Sequence, residues 1–393
     1  MNYDTFIIKY AEIGTKGKNR YVFEDMLVKH IRRRLKSLGD FEAWREYGRI
    51  YVKAKSDYDY TDAMDRLTKI FGIVGVCPVH VVHELDIKKI GEGCVEYLKA
   101  EYGEGEHSFK IRARRNNKSF TVNSQEINMT VGGDVLDALP AYKVDVHKPE
   151  IMVDIEVRNE AYIYSKVIPG PGGLPVGTNG KGIALLSGGI DSPVATYMIA
   201  KRGVEIEAVY FNAPPYTSER AKKKVIELGN IVAQYAGPIR LHIINFTDVQ
   251  LCIYENCPHD ELTIIMKRCM YRIAEEIGLK NDCQLIVTGE SIGQVSSQTA
   301  QSLYVIDHAI KELPVMRPCI GMDKQEIVDR ALNIGSYETS VLPYEDCCTI
   351  FVDKHPVTKP KLDRIEQSEQ NLVGKIEELI RKAVETEETV ICK

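Results

Sequence analysis

The sequence predicts an α/β protein whose second half is a doubly wound parallel sheet, preceded by two smaller α+β domains. Three observations carry that prediction. Beyond residue 182, short apolar runs at 183–186, 205–211, 239–246, 284–288 and 315–318 alternate with helical patterns. Parallel strands need long crossover connections, so this alternation is what a parallel sheet requires. Before it comes a run dense in Pro and Gly at 169–175, with Gly177 and Gly180 after it, the clearest linker signal in the chain. The 393 residues also exceed what one domain usually holds. The expected boundaries are 1–75, 76–167, a linker at 168–181, and 182–393.

The first block opens with a strand-like stretch at 6–10 and a Gly- and Lys-rich turn at 14–19. A helical pattern at 20–38, a strand at 49–54 and a second helix from Thr61 follow. That β-α-β-α order suggests a small sandwich of the ferredoxin-like kind. In the second block a helix at 87–102 is ended by Gly103 and Gly105. Apolar Phe109, Ile111 and Ala113 then alternate with basic Lys110, Arg112 and Arg114. The period of two in a strand sends one set to a core and the other to one exposed face. Stretches 151–157 and 161–166 read as a hairpin.

Composition excludes several classes. No early stretch has the form of a secretory signal, and no apolar run approaches the roughly 20 residues that span a bilayer, so the expectation is a soluble, cytoplasmic chain without a membrane partner. The ten cysteines are scattered and include no Cys-x-x-Cys, which argues against a zinc ribbon or a thioredoxin motif. Cys77, Cys94, Cys252, Cys269, Cys283 and Cys319 sit among apolar residues and read as core filling. Net charge is −5, so bulk charge does not hold this chain on nucleic acid. Its basic residues nevertheless cluster in the front half: Lys16, Lys18 and Arg20; Arg32, Arg33 and Arg34; Arg112, Arg114, Arg115 and Lys118. Three such clusters raise a phosphate-contacting surface against the plainer reading of solvated faces.

Ligands in open α/β sheets bind at the carboxyl ends of strands, so the chemistry is sought there. The first strand of the second half runs through Leu185 and Leu186 into Ser187-Gly188-Gly189-Ile190-Asp191-Ser192-Pro193. Two glycines admit a ligand close to backbone. Asp191 or Ser192 is expected to cap the next helix, with Pro193 at its first position. Free N–H groups at a helix start form an anion site, and Asp191 suits a Mg²⁺ ion bridging to phosphates. The lysine of a Walker A loop is missing, so this is not a P-loop NTPase. An ordinary strand-to-helix turn is the bland alternative, but the full string resembles the PP-loop of ATP pyrophosphatases, which adenylate a substrate.

Other strand ends agree. Tyr210 and Phe211 end the second strand and are expected to cover an adenine. Small and polar residues from Thr288 through Gly289 and Gln298 to Thr299 follow the fourth. After the fifth, Asp323 and Glu326 fit a capping box, placing Lys324 in the first turn of a helix. A cation there is mildly unfavourable unless a bound phosphate reverses the sign. Cys347 and Cys348 are adjacent in a polar stretch beyond Gly335, where burial does not explain them. Flanking Glu345 and Asp346 raise a thiol pKa, so an activated thiolate would need a lysine or helix start nearby.

Together these parts resemble the bacterial tRNA 4-thiouridine synthetase (tRNA sulfurtransferase) family from end to end. The strings that carry the likeness are 16–20, the middle block with 109–123, which looks like a THUMP RNA-binding domain, 169–173, the Ser187 loop, Lys267-Arg268, 289–299, 317–324 and 345–348. The resemblance implies that the front blocks grip the acceptor end of tRNA, with Lys110, Arg112, Arg114, Arg115 and Lys118 on the RNA side. It implies that the PP-loop domain adenylates a uridine at its C4 oxygen, using ATP and Mg²⁺, before a cysteine persulfide supplies sulfur. Asp191 and Lys324 would then be catalytic. Leu185, Leu186, Ser187, Gly188, Gly189, Ser192, Tyr210, Phe211, Lys267, Gly289 and Gln298 would line the ATP site. Cys347 takes the place of the family's sulfur-bearing cysteine, with Cys348 the weaker candidate; Cys348 and Cys257 are the candidates for the thiol that closes a disulfide afterwards. Homodimerisation, and sulfur supply to a thiamine-pathway carrier protein, also belong to the family.

Two departures matter. Only about 45 residues follow Cys348, too few for the rhodanese domain of some members, so sulfur is expected from a separate cysteine desulfurase. That tail reads as a charged helix from Lys361 onward. Thr263 and Met266 stand where some archaeal relatives place a Cys-x-x-Cys, which argues against an iron–sulfur cluster. Two other classes stay open on residues alone: a PP-loop synthetase acting on a small molecule, and an RNA-binding protein that only senses ATP.

Overall fold

A computed structural model describes residues 3–46, 48–344 and 355–393, which fall into two compact units, 1–173 and 174–393. In the first, the chain runs β1 (Thr5–Lys9), α1 (Arg20–Leu35), β2 (Phe41–Glu46), β3 (Arg49–Ala54), α2 (Tyr60–Leu67), β4 (Gly75–Val82) and α3 (Ile87–Tyr102). It continues with β5 (His107–Arg115), α4 (Ser124–Ala138), β6 (Tyr142–Val144), β7 (Ile151–Val157), β8 (Ala161–Tyr164) and β9 (Ile168–Pro169). One nine-stranded sheet, ordered β2-β3-β1-β4-β8-β7-β5-β6 with β9 on β4, passes through both front blocks. The sequence reading missed β2, β4 and α4. β2 is an edge strand in which Ala43 and Trp44 are adjacent between charged Glu42 and Arg45, so it lacks a clean apolar alternation. α3 is bounded as expected, by the Asp86 carboxylate accepting N–H groups of Lys88 and Lys89 and by Gly103 at φ 79°.

The second unit runs β10 (Lys181–Leu185), α5 (Asp191–Ala200), β11 (Glu205–Asn212), α6 (Glu219–Ala236), β12 (Ile239–Asn245), α7 (Thr247–Asn256), α8 (Leu262–Lys280) and β13 (Leu285–Val287). Then come α9 (Ala300–Asp307), β14 (Val315–Met316), α10 (Lys324–Ile334), α11 (Tyr337–Ser340), α12 (Leu362–Glu369), α13 (Ile376–Glu385) and β15 (Glu388–Cys392). The sheet order is β14-β13-β10-β11-β12-β15. Its first five strands are parallel, as predicted; β15 is antiparallel to β12. The tail is therefore two helices and a strand, not one helix: Gly374, at φ 80°, separates α12 from α13, and the β-branched run Thr389-Val390-Ile391 closes the sheet edge.

From β10 the chain moves outward to β11 and β12, then returns to the other side of β10 with β13 and β14. The order reverses between β10 and β13, and the loops leaving those strands open a crevice at their carboxyl ends. Ile183, Val209, Phe211 and Ile286 of the sheet share a core with α7, α8, α12 and α13. All six cysteines read as core filling are buried, and so are Cys257 and Cys392. The Pro- and Gly-rich stretch is hydrogen-bonded along its length: Gly170 and Gly172 donate to Val74 and Ile73, while Leu174 and Gly177 donate to Lys201 and Gly203. No helix among the described residues is long and apolar enough to cross a membrane.

Candidate functional site

The loop after β10 is closed by its own hydroxyls. Ser187 N–H donates to Ser192 Oγ at 2.8 Å, and the two hydroxyls lie 3.1 Å apart. Helix α5 begins at Asp191, with Ile190 before it and no side-chain cap. This corrects the expectation that Asp191 or Ser192 caps the helix with Pro193 first: Ser192 is buried and spends its oxygen on Ser187, and Asp191 faces a cation instead. Gly189 has no positive φ, and a Cβ there would meet nothing closer than Ser187 Oγ at 3.6 Å. Protein packing does not require glycine at 189, which leaves room for a ligand. Gly289 is the opposite case: a Cβ would lie 2.6 Å from Ser192 N and 2.7 Å from Asp191 C. Its missing side chain lets the end of β13 pass against the start of α5.

Asp191 is bracketed. Lys324 Nζ donates to Oδ1 at 2.7 Å and Gln294 Nε2 to Oδ2 at 2.7 Å. The capping box at α10 forms: Asp323 Oδ1 accepts from Glu326 N–H and Glu326 Oε2 from Asp323 N–H, each at 2.9 Å. Lys324 therefore sits at a positive helix end, offset by Asp191.

Beside this pair lies a cavity lined by Leu185, Leu186, Ser187, Ser192, Tyr210, Phe211, Lys267, Gly289 and Gln298, together with Asp191. Of the residues expected at a nucleotide, Gly188 and Gly189 are not among its lining. Tyr210 and Phe211 are strand neighbours and face opposite sides. Phe211 is committed edge-to-face to Phe246, with centroids 5.3 Å apart. Both nevertheless line the cavity at the end of β11.

The cavity also exposes a group the sequence reading missed. Glu290, lining it with Met270, Tyr271 and Thr288, is a buried carboxylate. Its Oε1 accepts from Lys267 Nζ at 3.0 Å; Oε2 accepts from Tyr271 OH at 2.7 Å, Arg317 Nε at 2.8 Å and Thr288 Oγ1 at 3.1 Å. Burial pushes the Glu290 pKa up, but Lys267 and Arg317 outweigh it and bring it down to about 2. The only sequence signal was a glutamate directly after the strand-end Gly289. Arg268, next to Lys267, is structural: fully buried, it pairs through Nε and a terminal nitrogen with both oxygens of Glu369, each at 2.9 Å, tying α8 to α12.

Cys347 and Cys348 lie outside the described residues. Cys257 is buried, and burial pushes its thiol up to about 12. That environment argues against its acting as the second thiol.

In the first unit, β5 alternates as read, with Phe109, Ile111 and Ala113 buried and Arg112 and Arg114 exposed. Its basic residues are not equivalent. Arg112 stands opposite Asp154 in the β5–β7 register and grips both carboxylate oxygens, at 2.6 and 2.7 Å. Lys110 donates to Val146 O and Arg115 to Phe120 O. Arg114 and Lys118 are exposed and make no ion pair among the described residues.

Known proteins share this architecture. The family described as Thiamine biosynthesis protein (ThiI) matches residues 177–373, its ferredoxin-like domain 5–77, and the THUMP domain 84–166. A chain from Lachnospira eligens named "Probable tRNA sulfurtransferase" is 57% identical over 99% of both chains. The chain belongs to the tRNA sulfurtransferase family. A second member, from Lachnoclostridium phytofermentans and of the same name, is 55% identical over 100% of both chains. A solved family structure, described as a 4-thiouridine synthetase–RNA complex with bound ATP, superposes with a TM-score of 0.91 at 36% identity, covering 100% of each chain. The architecture is thus that of this family: a ferredoxin-like domain, a THUMP domain and a PP-loop catalytic domain.

Proposed function

We propose that this chain is an ATP-dependent tRNA sulfurtransferase that converts a uridine of tRNA to 4-thiouridine. The observation that carries the reading is the Asp191–Lys324 pair, at the reversal of strand order, beside a cavity walled by Leu185, Leu186 and Lys267. The uridine O4 attacks the α-phosphorus of ATP, the α–β bridging bond breaks, and pyrophosphate leaves. Lys324, with the N–H groups of the Ser187 loop, stabilises charge on the phosphates. The terminal sulfur of a Cys347 persulfide then attacks C4, and the C4–O bond breaks to release AMP. A second thiol, with Cys348 the remaining sequence candidate, attacks Cys347 Sγ; the S–S bond breaks, the sulfur stays on C4, and the two cysteines end as a disulfide. A dithiol reductant restores both thiols and itself ends as a disulfide.

Mg²⁺ fits the donor set in a limited way. Among the described residues no group of three or more His, Cys, Asp or Glu could hold a metal ion, so an ion here would be held by the phosphates and the Asp191 carboxylate. When bound it would neutralise charge on the departing pyrophosphate. In this reading tRNA lies on Arg114 and Lys118, a cysteine desulfurase loads the persulfide, and the active species is a homodimer. The family description favours a second role, passing the same sulfur to a thiamine-pathway carrier protein.

Nucleoside mass spectrometry of tRNA incubated with ATP, Mg²⁺ and a persulfide donor tests the proposal. The expected product is 4-thiouridine with one AMP per sulfur. Small-molecule adenylation without it would favour the rival synthetase, and tight RNA binding without AMP the rival sensor. Cys347→Ser should still adenylate and fail to thiolate; full thiolation by that variant would overturn the sulfur assignment.

A further inference from the structure

We infer that Glu290 is a positioning residue for the ATP step, holding the Lys267 ammonium at the cavity wall and tying it to the loop that carries Lys324. The inference rests on the reading of Lys267 as an ATP contact. The two Glu290 oxygens divide their work. Three donors from three different places clamp Oε2: Tyr271 of α8, Thr288 at the end of β13, and Arg317 after β14. Oε1 is left to Lys267, at 3.0 Å. A carboxylate fixed on one oxygen presents the other in one direction, and a lysine bonded to it keeps its remaining N–H groups for a ligand. Without that anchor the flexible lysine stem would sample many rotamers, and ATP would have to order it on binding.

Arg317 extends the device. Its other nitrogens grip Asp307 of α9, so it is held from both sides. Seven residues further on stands Lys324. Between them, Ile292 N–H donates to Ile320 O at 3.1 Å and Ser291 Oγ to Met322 O at 2.8 Å. The segment after Glu290 is thus stitched to the segment before Lys324. A purely structural ion pair between β13, β14 and α9 would need only Arg317, Asp307 and Glu290. It gives no reason for Lys267, a cavity-lining cation, to occupy the open oxygen.

A double-mutant cycle on the full chain tests this, with tRNA saturating and ATP varied. Lys267→Met and Glu290→Gln should each raise the KM for ATP by about tenfold, the size of one charge-assisted hydrogen bond, with kcat little changed. The double variant should be no worse than either single one. Multiplying effects would overturn the inference, as would Glu290→Gln with a lowered Tm and an unchanged KM. An unchanged KM in Lys267→Met would remove the reading of Lys267 itself, a separate failure. If Glu290→Gln does not fold, Tyr271→Phe and Thr288→Val loosen the clamp while leaving both charges. Each should raise KM by about two- to threefold, and that rise should vanish in the Lys267→Met background; its persistence there would overturn the inference.

Discussion

The charged groups of the cavity and those of strand β5 are organised on opposite plans. In the cavity, Glu290 is withdrawn from water and matched by Lys267 and Arg317, while Asp191 beside it is matched by the half-exposed Lys324. On β5, Arg112 and Arg114 are exposed, Lys110 and Arg115 are partly so, and among these four only Arg112 is committed to a carboxylate. Withdrawn charges are weakly screened and act at fixed positions, whereas exposed ones act through a field that salt collapses. The first plan suits a step that needs charge at one phosphate. The second suits a polyanion gripped over many contacts.

The largest effect should come from the cavity. Asp191→Asn keeps the shape and removes the charge facing Lys324, so 4-thiouridine formation should fall by at least about a hundredfold. Unfolding free energy should move by less than about 1 kcal/mol, because Lys324 is half-exposed. A large stability loss with activity retained would reverse the roles given to the two regions. The Glu290 network makes the next prediction. Its pKa is lowered from 4.5 to about 2, so its contribution is fully present above 4.5 and is lost as pH falls through the window down to about 2. The loss amounts to about 3 kcal/mol. Thermal unfolding across that window should show a shallower acid limb for Glu290→Gln than for the native chain; parallel limbs would mean Glu290 is not paired as described.

How legible the two regions were in sequence differs for physical reasons. Ser187–Ser192 was readable because a buried strand, two glycines and a helix start fall within one short string. Lys324 was readable through its capping box. Glu290 was not, since its meaning depends on Lys267, Tyr271 and Arg317, which only the tertiary fold brings to it. The alternation of β5 was legible, but the neutralising of Arg112 was not, because Asp154 is 42 residues away and meets it only through strand register. β2 and β15 were missed as edge strands whose polar faces dilute the apolar pattern.

The two glycines of the crevice give a middle-sized test. Gly289→Ala sets a Cβ against backbone atoms of Asp191 and Ser192, which cannot swing aside, and should cost about 1–3 kcal/mol of stability. Gly189→Ala makes only an ordinary van der Waals contact, with Ser187 Oγ at 3.6 Å, so its Tm should hold while the KM for ATP rises. If both alanines lowered Tm alike, Gly189 would be a packing glycine and the ligand reading of the loop would lose its support.

The smallest effects belong to β5, and they separate two arginines two residues apart. Arg114→Ala removes an exposed cation that makes no ion pair among the described residues, so stability should shift by no more than about 0.5 kcal/mol. If Arg114 touches a phosphate, the slope of log affinity for tRNA against log salt should flatten by about one unit. Arg112→Ala should do the reverse. It strands the buried Asp154 without its partner, which destabilises the fold by about 1–2 kcal/mol after allowing for the half-exposed guanidinium. The salt slope should barely move, since that charge is already neutralised. Binding over a salt series, with Tm measured on the same samples, reads both quantities. A flattened slope in Arg112→Ala with unchanged Tm would show that tRNA draws Arg112 away from Asp154, and that the paired charges of the first unit are as available to RNA as the free ones.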